Sequence, residues 1–250
     1  MLKQANPEDF KSRWEYSKAT SQWHFDKLRD EDTEPPFTIL GRFKEGAWQQ
    51  EIGDMLKSAP TKPVSFVTRI AGRFPEKIPY TLRMDEHDLK SMGLSVDHVL
   101  FHNLALPETA TGLRRMADFF RLRNRIASIH VQYPGQTFPF HIDDLTSSKG
   151  NNPNHPLNLN PDLLVRFEIQ LLDWEWGHVW AYGNSYWKQW RAGEIAFHRW
   201  RDVPHGTANC GHTPRCALQV TGLVTEFTRG LMRQGNAVFD LGGISEGAAV

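Results

Sequence analysis

The second half of the chain alternates. In "RIASIHVQY", Ile129, Val131 and Tyr133 share one side and His130 and Gln132 the other. "LLVRFEIQLLDW" repeats the pattern, with Val165, Phe167, Ile169 and Leu171 opposing Arg166, Glu168 and Gln170. A period of two belongs to strands, whose successive side chains point to opposite faces. "HVWAY", "EIAFHRW" and "CALQVTGLV" follow, separated by Gly, Asn and Pro turns. No clear helical period interrupts residues 125–228, which disfavours a parallel βαβ sheet. Many short strands at this spacing predict a sandwich or barrel.

The first half is mixed. Residues 1–32 are polar, with apolar or aromatic positions at Phe10, Trp14, Tyr16, Trp23 and Leu28. Asn6 as cap and Pro7 in the first turn predict a helix start. "DEDTEPPFT" ends that texture, since two prolines forbid helix. From Phe37, "FTILGRF", "PVSFVTRI" and "HVLFHNLAL" read as strands, with a short helix over "MDEHDLKSMGL" closed by Gly93. Residues 107–124 predict a second helix, whose stripe of Leu113, Met116, Ala117 and Phe120 keeps the i, i+3, i+4, i+7 spacing. The Asn/Pro-rich stretch 146–162 is a long loop, of a length usually reserved for lids or mobile segments. "RQGNAVFDLGGISEGAAV" is expected to dock partly and then fray. The expected organisation is one mainly β domain with flanking helices. Residues 1–36 form a helical packing segment, 37–228 a strand core with inserted helices, and 229–250 a C-terminal extension.

Composition adds exclusions. The 250 residues are 40% hydrophobic and 23% charged, as in ordinary globular proteins. Lys+Arg and Asp+Glu each total 29, so no nucleic acid or anionic membrane surface is implied as partner. The arginines of the 107–124 helix therefore read as a solvated face. Cys210 and Cys216 allow no disulfide framework beyond one bridge, which points to a reducing, cytoplasmic setting. The N-terminus has no apolar signal region, and no stretch approaches the 18 apolar residues of a membrane span.

The chemistry concentrates in "FPFHIDDLT". His141 and Asp143 stand two apart at a strand end, so both point the same way. Two imidazoles and a carboxylate on one face of a metal leave the remaining positions open, an arrangement suited to non-haem Fe(II) oxygen chemistry. "WRDVPHGTANCGHTPRCALQVTG" supplies a second histidine, His205, after a strand and a proline. Ten residues later Arg215 opens an alternating strand, where its guanidinium could hold a carboxylate in two prongs, as Lys would not.

This order resembles the Fe(II)/2-oxoglutarate-dependent dioxygenase superfamily over roughly residues 125–228. Within it, "HID…VRFEIQL…WRAGEIAFHRWRDVPHGTAN…R…LQVTG" looks most like the aspartyl/asparaginyl hydroxylase and proline-hydroxylase branch, with Arg166 and Gly193-Glu194 matching that branch's arginine and Gly-Glu turn. The resemblance implies a double-stranded β-helix (jelly-roll) barrel. It implies Fe(II) on His141, Asp143 and His205, with Arg215 on the distal carboxylate of 2-oxoglutarate and O2 as co-substrate. Halogenases of the superfamily carry a small residue where Asp143 stands, so hydroxylation of an unactivated C–H is expected, with desaturation or cyclisation as alternatives. The partner is then a small molecule.

Other polar residues have two readings. Arg166 either meets a substrate carboxylate, such as that of an amino acid, or pairs with Glu168. His130 either lines the barrel or is a hydrogen-bonded core histidine. Trp174, Trp176, Trp180, Trp187 and Trp190 either form a substrate wall, Trp180 foremost, or are packing. His198 is expected as a strand residue, His212 and His155 at the surface, Asp144 as a loop cap and Glu194 as a turn residue. The rival functions are a cupin-like metalloenzyme without an oxo-acid co-substrate and a non-enzymatic β-sandwich binding module.

Overall fold

The alternating segments form strands where the pattern places them. The computed structural model describes residues 35–65, 99–141, 163–183, 185–198, 200, 203–234 and 237–241. The helices expected in 1–32 and over "MDEHDLKSMGL", the loop 146–162 with His155, and the pair Asp143–Asp144 lie outside the described residues.

The elements run β1 (Phe37–Phe43), α1 (Ala47–Ser58), β2 (Thr61–Ser65), β3 (Val99–Leu104), α2 (Thr111–Phe119), β4 (Arg123–Gln132), β5 (Thr137–His141) and β6 (Leu164–Gln170). They continue with β7 (His178–Tyr182), β8 (Ser185–Trp187), β9 (Glu194–His198), β10 (His205–Asn209), β11 (Arg215–Leu223), α3 (Glu226–Gln234) and β12 (Ala237–Phe239). Eight strands form a major sheet in the order β12-β1-β9-β6-β11-β4-β3-β2, and four form a minor sheet, β5-β10-β7-β8. All described pairings are antiparallel except β1 with β12. Together the two sheets make the double-stranded β-helix barrel.

The period-two pattern sorts the two faces of the major sheet. Ile129 and Val131 of β4, Phe167 and Ile169 of β6, and Cys216, Leu218 and Val220 of β11 form one buried cluster. Trp48, Ile52 and Met55 of α1, Leu113, Met116 and Ala117 of α2, and Leu231 of α3 join them. The helices therefore cover the outer face, where Phe120 stacks on Phe167 with ring centroids 4.2 Å apart. The opposite residues turn inward. Ala196 of β9 and Ala217 of β11 meet Trp180 and Tyr182 of the minor sheet in a second cluster. Two small residues facing two large ones fill that space without overpacking.

Three expectations need correction. The helix read over 107–124 spans only Thr111–Phe119, because Arg121 and Asn124 take left-handed φ of 50° and break it. Helix α1 was not expected, although Trp48, Ile52 and Met55 repeat at i, i+4, i+7. Helix α3 was not expected either, while the C-terminal stretch expected to dock partly does so at Ala237–Phe239, which pair with β1 as β12.

Candidate functional site

His141 ends β5 and His205 opens β10, and the strand register sets them opposite one another. β5 is the edge of its sheet, which is why Pro139 is tolerated there without a ladder N–H. The strands come unusually close at Gly206: a Cβ on it would lie 3.1 Å from both the Phe138 carbonyl oxygen and the Phe140 nitrogen. The two imidazole centroids are 4.4 Å apart.

Each imidazole is held the same way. His141 Nδ1 lies 2.9 Å from the Pro139 carbonyl, and His205 Nδ1 lies 3.1 Å from that of Val203. A carbonyl only accepts, so Nδ1 carries the proton in both rings and Nε2 carries the lone pair. This backbone anchoring is what fixes tautomer and ring orientation in metal-bound histidines. The centroid spacing also suits two rings on one ion, since metal–nitrogen distances of about 2.1 Å at near right angles bring imidazoles to this separation. Among the described residues no group of three or more His, Cys, Asp or Glu is arranged to hold a metal. A His-His-carboxylate set therefore needs Asp143, which is outside them.

Arg215 opens β11 and points inward, 5% exposed. Its Nε and Nη2 donate to Gln132 Oε1 at 3.0 and 2.8 Å, and Gln132 Nε2 donates in turn to the Leu100 carbonyl at 2.9 Å. Asn209 fixes the preceding turn, its amide nitrogen 2.8 Å from the carbonyls of Gln132 and Thr213. The guanidinium carbon lies 4.5 Å from the centre of the Trp180 ring. Burial pulls the Arg215 pKa down to about 10, against the opposing field of Glu168, which leaves it charged at neutral pH. Arg215 Nη1 and Trp180 Nε1 are both buried and have no hydrogen-bond partner among the described residues. Orphaned donors of this kind are rare in folded proteins and ask for a ligand or water. A carboxylate beside Nη1 would satisfy one of them, so the residues present fit an anionic group.

Arg166 is also buried and inward, its Nε donating to Thr221 Oγ1 at 3.0 Å with its guanidinium carbon 5.7 Å from the Trp200 ring centre. Glu168, the next inward residue of β6, accepts from Gln219 Nε2 at 2.7 Å. His130 faces the same interior, 3.1 Å from Ser128 Oγ and against the Phe101 ring at 4.6 Å. Of the tryptophans, Trp180, Trp187 and Trp190 pack between the sheets, whereas Trp176 is 81% exposed and takes no part in such a wall. Glu194 accepts from Trp187 Nε1 at 2.6 Å, and His212 is exposed as expected.

Three interior residues escaped the sequence reading. Gln132 shares the inward face of β4 with His130, and alternation marked that face but not its bond to Arg215. Tyr182 stands opposite His205 on β7 and is fully buried. His198 is a strand residue as expected, but it is buried and its ring lies 4.8 Å from His205 and 4.7 Å from Tyr182.

No family model matches the chain, and no curated protein matches it. Solved structures do. The non-haem α-ketoglutarate-dependent carbocyclase SnoK from nogalamycin biosynthesis aligns at 14% identity and a TM-score of 0.47, over 80% of this chain and 84% of its own. A Pseudomonas putida prolyl-4-hydroxylase aligns at 12% identity and a TM-score of 0.38, over 78% and 96%. A predicted oxalate decarboxylase from Thermotoga maritima aligns at 14% identity and a TM-score of 0.30, over 50% and 81%. Similarity this low assigns neither activity nor ligand to the chain.

Proposed function

We propose that the chain is an Fe(II)- and 2-oxoglutarate-dependent oxygenase that hydroxylates an unactivated C–H of a small, carboxylate-bearing molecule such as an amino acid. His141, His205 and Asp143 would hold the metal. The observation that carries this reading is the pair of imidazoles, ring centroids 4.4 Å apart with each Nδ1 tied to a backbone carbonyl, together with a buried arginine whose Nη1 has no hydrogen-bond partner among the described residues. A plain β-sandwich binding module has no need of that combination.

When bound, the ferrous ion supplies the oxidation: 2-oxoglutarate and O2 give succinate and CO2, and one oxygen atom enters the substrate C–H. The remaining tasks fall to the chain. Arg215 anchors the far carboxylate of 2-oxoglutarate through Nη1, held in plane by Gln132. Trp180 forms the floor beneath the guanidinium. Arg166 and His130 line the wall that receives substrate. The aromatic cluster between the sheets keeps water from the reacting end, which strengthens each polar contact there. The free thiols Cys210 and Cys216 suit a reducing compartment, and we place the protein in the cytoplasm. No described helix is long and apolar enough to cross a membrane.

The test is anaerobic titration with Fe(II) and 2-oxoglutarate, followed by oxygen. The expected result is a weak visible charge-transfer band and succinate release, both lost in His141→Ala and His205→Ala while the circular dichroism is kept. A band that forms without 2-oxoglutarate dependence favours the cupin-like reading. Retained turnover in both variants sinks the assignment.

A further inference from the structure

A recess lies where the turn after β1 meets the segments that lead into β7 and β9. It encloses about 440 Å³, and His141, His205, Arg166 and Arg215 are not among its walls. Arg42 and Glu45 enter from the β1 side, Asp173 and Trp174 from the segment after β6, and Arg191 from the turn before β9. Gly193, with φ of 87°, lets that turn press on β1: a Cβ there would lie 2.6 Å from the Phe43 carbonyl oxygen and 3.3 Å from Arg42 Cγ. The walls are tied together by their own bonds. The Trp174 N–H donates to the Trp190 carbonyl at 3.0 Å, and Trp190 Nε1 donates to that of Leu172 at 3.2 Å. Trp174 Nε1 donates to the His178 carbonyl at 2.9 Å, and the Ala192 N–H donates to Asp173 Oδ1 at 2.8 Å.

Two observations point to what the recess takes. Its charges balance, two guanidiniums against two carboxylates, and among the described residues no ion pair joins any of the four to another. An anion would meet the carboxylates and a cation the guanidiniums, so a ligand with net charge is disfavoured. Planar guanidinium, carboxylate and amide groups, the last from Gln49 and Gln189, offer neighbouring donors and acceptors instead. The second observation is aromatic. Trp174 lines the recess, and Trp176 stands against it with ring centroids 5.1 Å apart while remaining 81% exposed. A tryptophan left so far in water is unusual, because its ring carries a large apolar area. The ligand that fits both observations is uncharged, rich in hydroxyls, and apolar on one face. A pyranose ring has all three properties: its C–H face lies on an indole, and its adjacent hydroxyls bond to the planar polar groups. We propose that this recess binds a neutral saccharide, one ring resting on Trp174 among the polar groups and a following ring on Trp176. The inference is independent of the oxygenase reading.

The experiment uses the full chain without added metal or 2-oxoglutarate, so its failure and that of the oxygenase reading are read separately. Calorimetry is run with glucose, galactose, mannose and N-acetylglucosamine, and with the disaccharides maltose, cellobiose and lactose. Glycine and inorganic phosphate are the charged controls. At least one sugar is expected to bind, and a disaccharide containing it more tightly. Its affinity should hold within about twofold between about 0.01 and 1 M salt, a span that screens charged ligands. Arg191→Ala should weaken the sugar about tenfold, the size of a lost hydrogen bond to a charged group. Trp176→Ala should weaken the disaccharide about threefold or more, and Trp176→Phe should keep most of its affinity. Both side chains are exposed, and melting curves check that each variant folds; should one fail, the other carries the test. Binding of glycine or phosphate in place of sugar, an affinity that falls with salt, or equal binding in Arg191→Ala and Trp176→Ala overturns the inference. So does a panel in which no sugar binds.

Discussion

At the scale of single residues, the interior is organised by what each polar group is bonded to. Arg215 spends Nε and Nη2 on Gln132, and Nη1 has no hydrogen-bond partner among the described residues. A lysine there has one compact ammonium and cannot serve both directions. Arg215→Lys should lower 2-oxoglutarate affinity about tenfold or more, the cost of one charge-assisted bond. Calorimetry on the Mn(II)-loaded protein measures it, and unchanged affinity would move the co-substrate elsewhere. His178 offers a separate handle. Its Nδ1 accepts from the Glu175 N–H at 3.2 Å and its Nε2 lies 3.1 Å from the Thr213 carbonyl, so the folded state holds the neutral ring. Burial is the largest cause of its lowered pKa, opposed by the Thr213 contact, with nearby Arg215 adding to the lowering. Below the ordinary value of 6.5 the unfolded chain takes up a proton that the folded chain refuses. Stability from this group is therefore present above about pH 6.5 and falls as pH drops towards the folded pKa. Melting temperature should decline in that window, and His178→Gln should flatten the decline.

At the scale of elements, α2 has a borrowed cap. Ala110 precedes it and can supply no side-chain acceptor. Glu51 of α1 accepts instead from the N–H groups of Gly112 and Leu113, each at 2.9 Å. A carboxylate at a helix N-terminus satisfies orphaned donors and opposes the helix dipole. Gly112 permits the contact, because a Cβ there would come within 2.8 Å of the Trp48 backbone nitrogen. Glu51→Ala should cost about 1–2 kcal/mol in urea unfolding, the range of a lost cap. A loss within experimental error would mean that water replaces the carboxylate. The same contact shows why this helix was only half legible. Its apolar stripe marks the buried face, but its start depends on a residue some sixty positions away, and its end depends on left-handed residues that no residue type announces. Helix α1 had a readable stripe, but its N-cap is Gly46, which has no side chain, its first turn has no acid, and its start is marked by Gln49 Oε1 accepting from the Gly46 N–H at 3.1 Å. The strands fared better, since β4, β6, β7, β9 and β11 carry their period in their own sequence. β8 and β12, three residues each, are too short to show one.

At the scale of the whole molecule, the barrel separates two kinds of surface that the same strands provide. One face of the major sheet is sealed by helices and lined by apolar side chains. The other carries Gln132, Arg166, Glu168, Gln170 and Arg215, all buried, into the space between the sheets. Alternation made those faces legible, and motif spacing singled out His141, His205 and Arg215. It could not show His198 or Tyr182 beside them, because their approach depends on how the two sheets close on each other. An interior this polar is costly when empty of partners: both amide atoms of Gln170 join Arg215 Nη1 and Trp180 Nε1 as buried groups without a bond among the described residues. A ligand that satisfies such groups binds the folded state alone, and so stabilises it by mass action. Mn(II) with 2-oxoglutarate at about a hundred times its dissociation constant should add roughly 2.7 kcal/mol, visible as a rise in melting temperature without oxygen. The rise should need both components, shrink in Arg215→Lys, and vanish in His205→Ala or on adding chelator. A rise given equally by 2-oxoglutarate without metal would place the anion in this interior but detach it from the histidines.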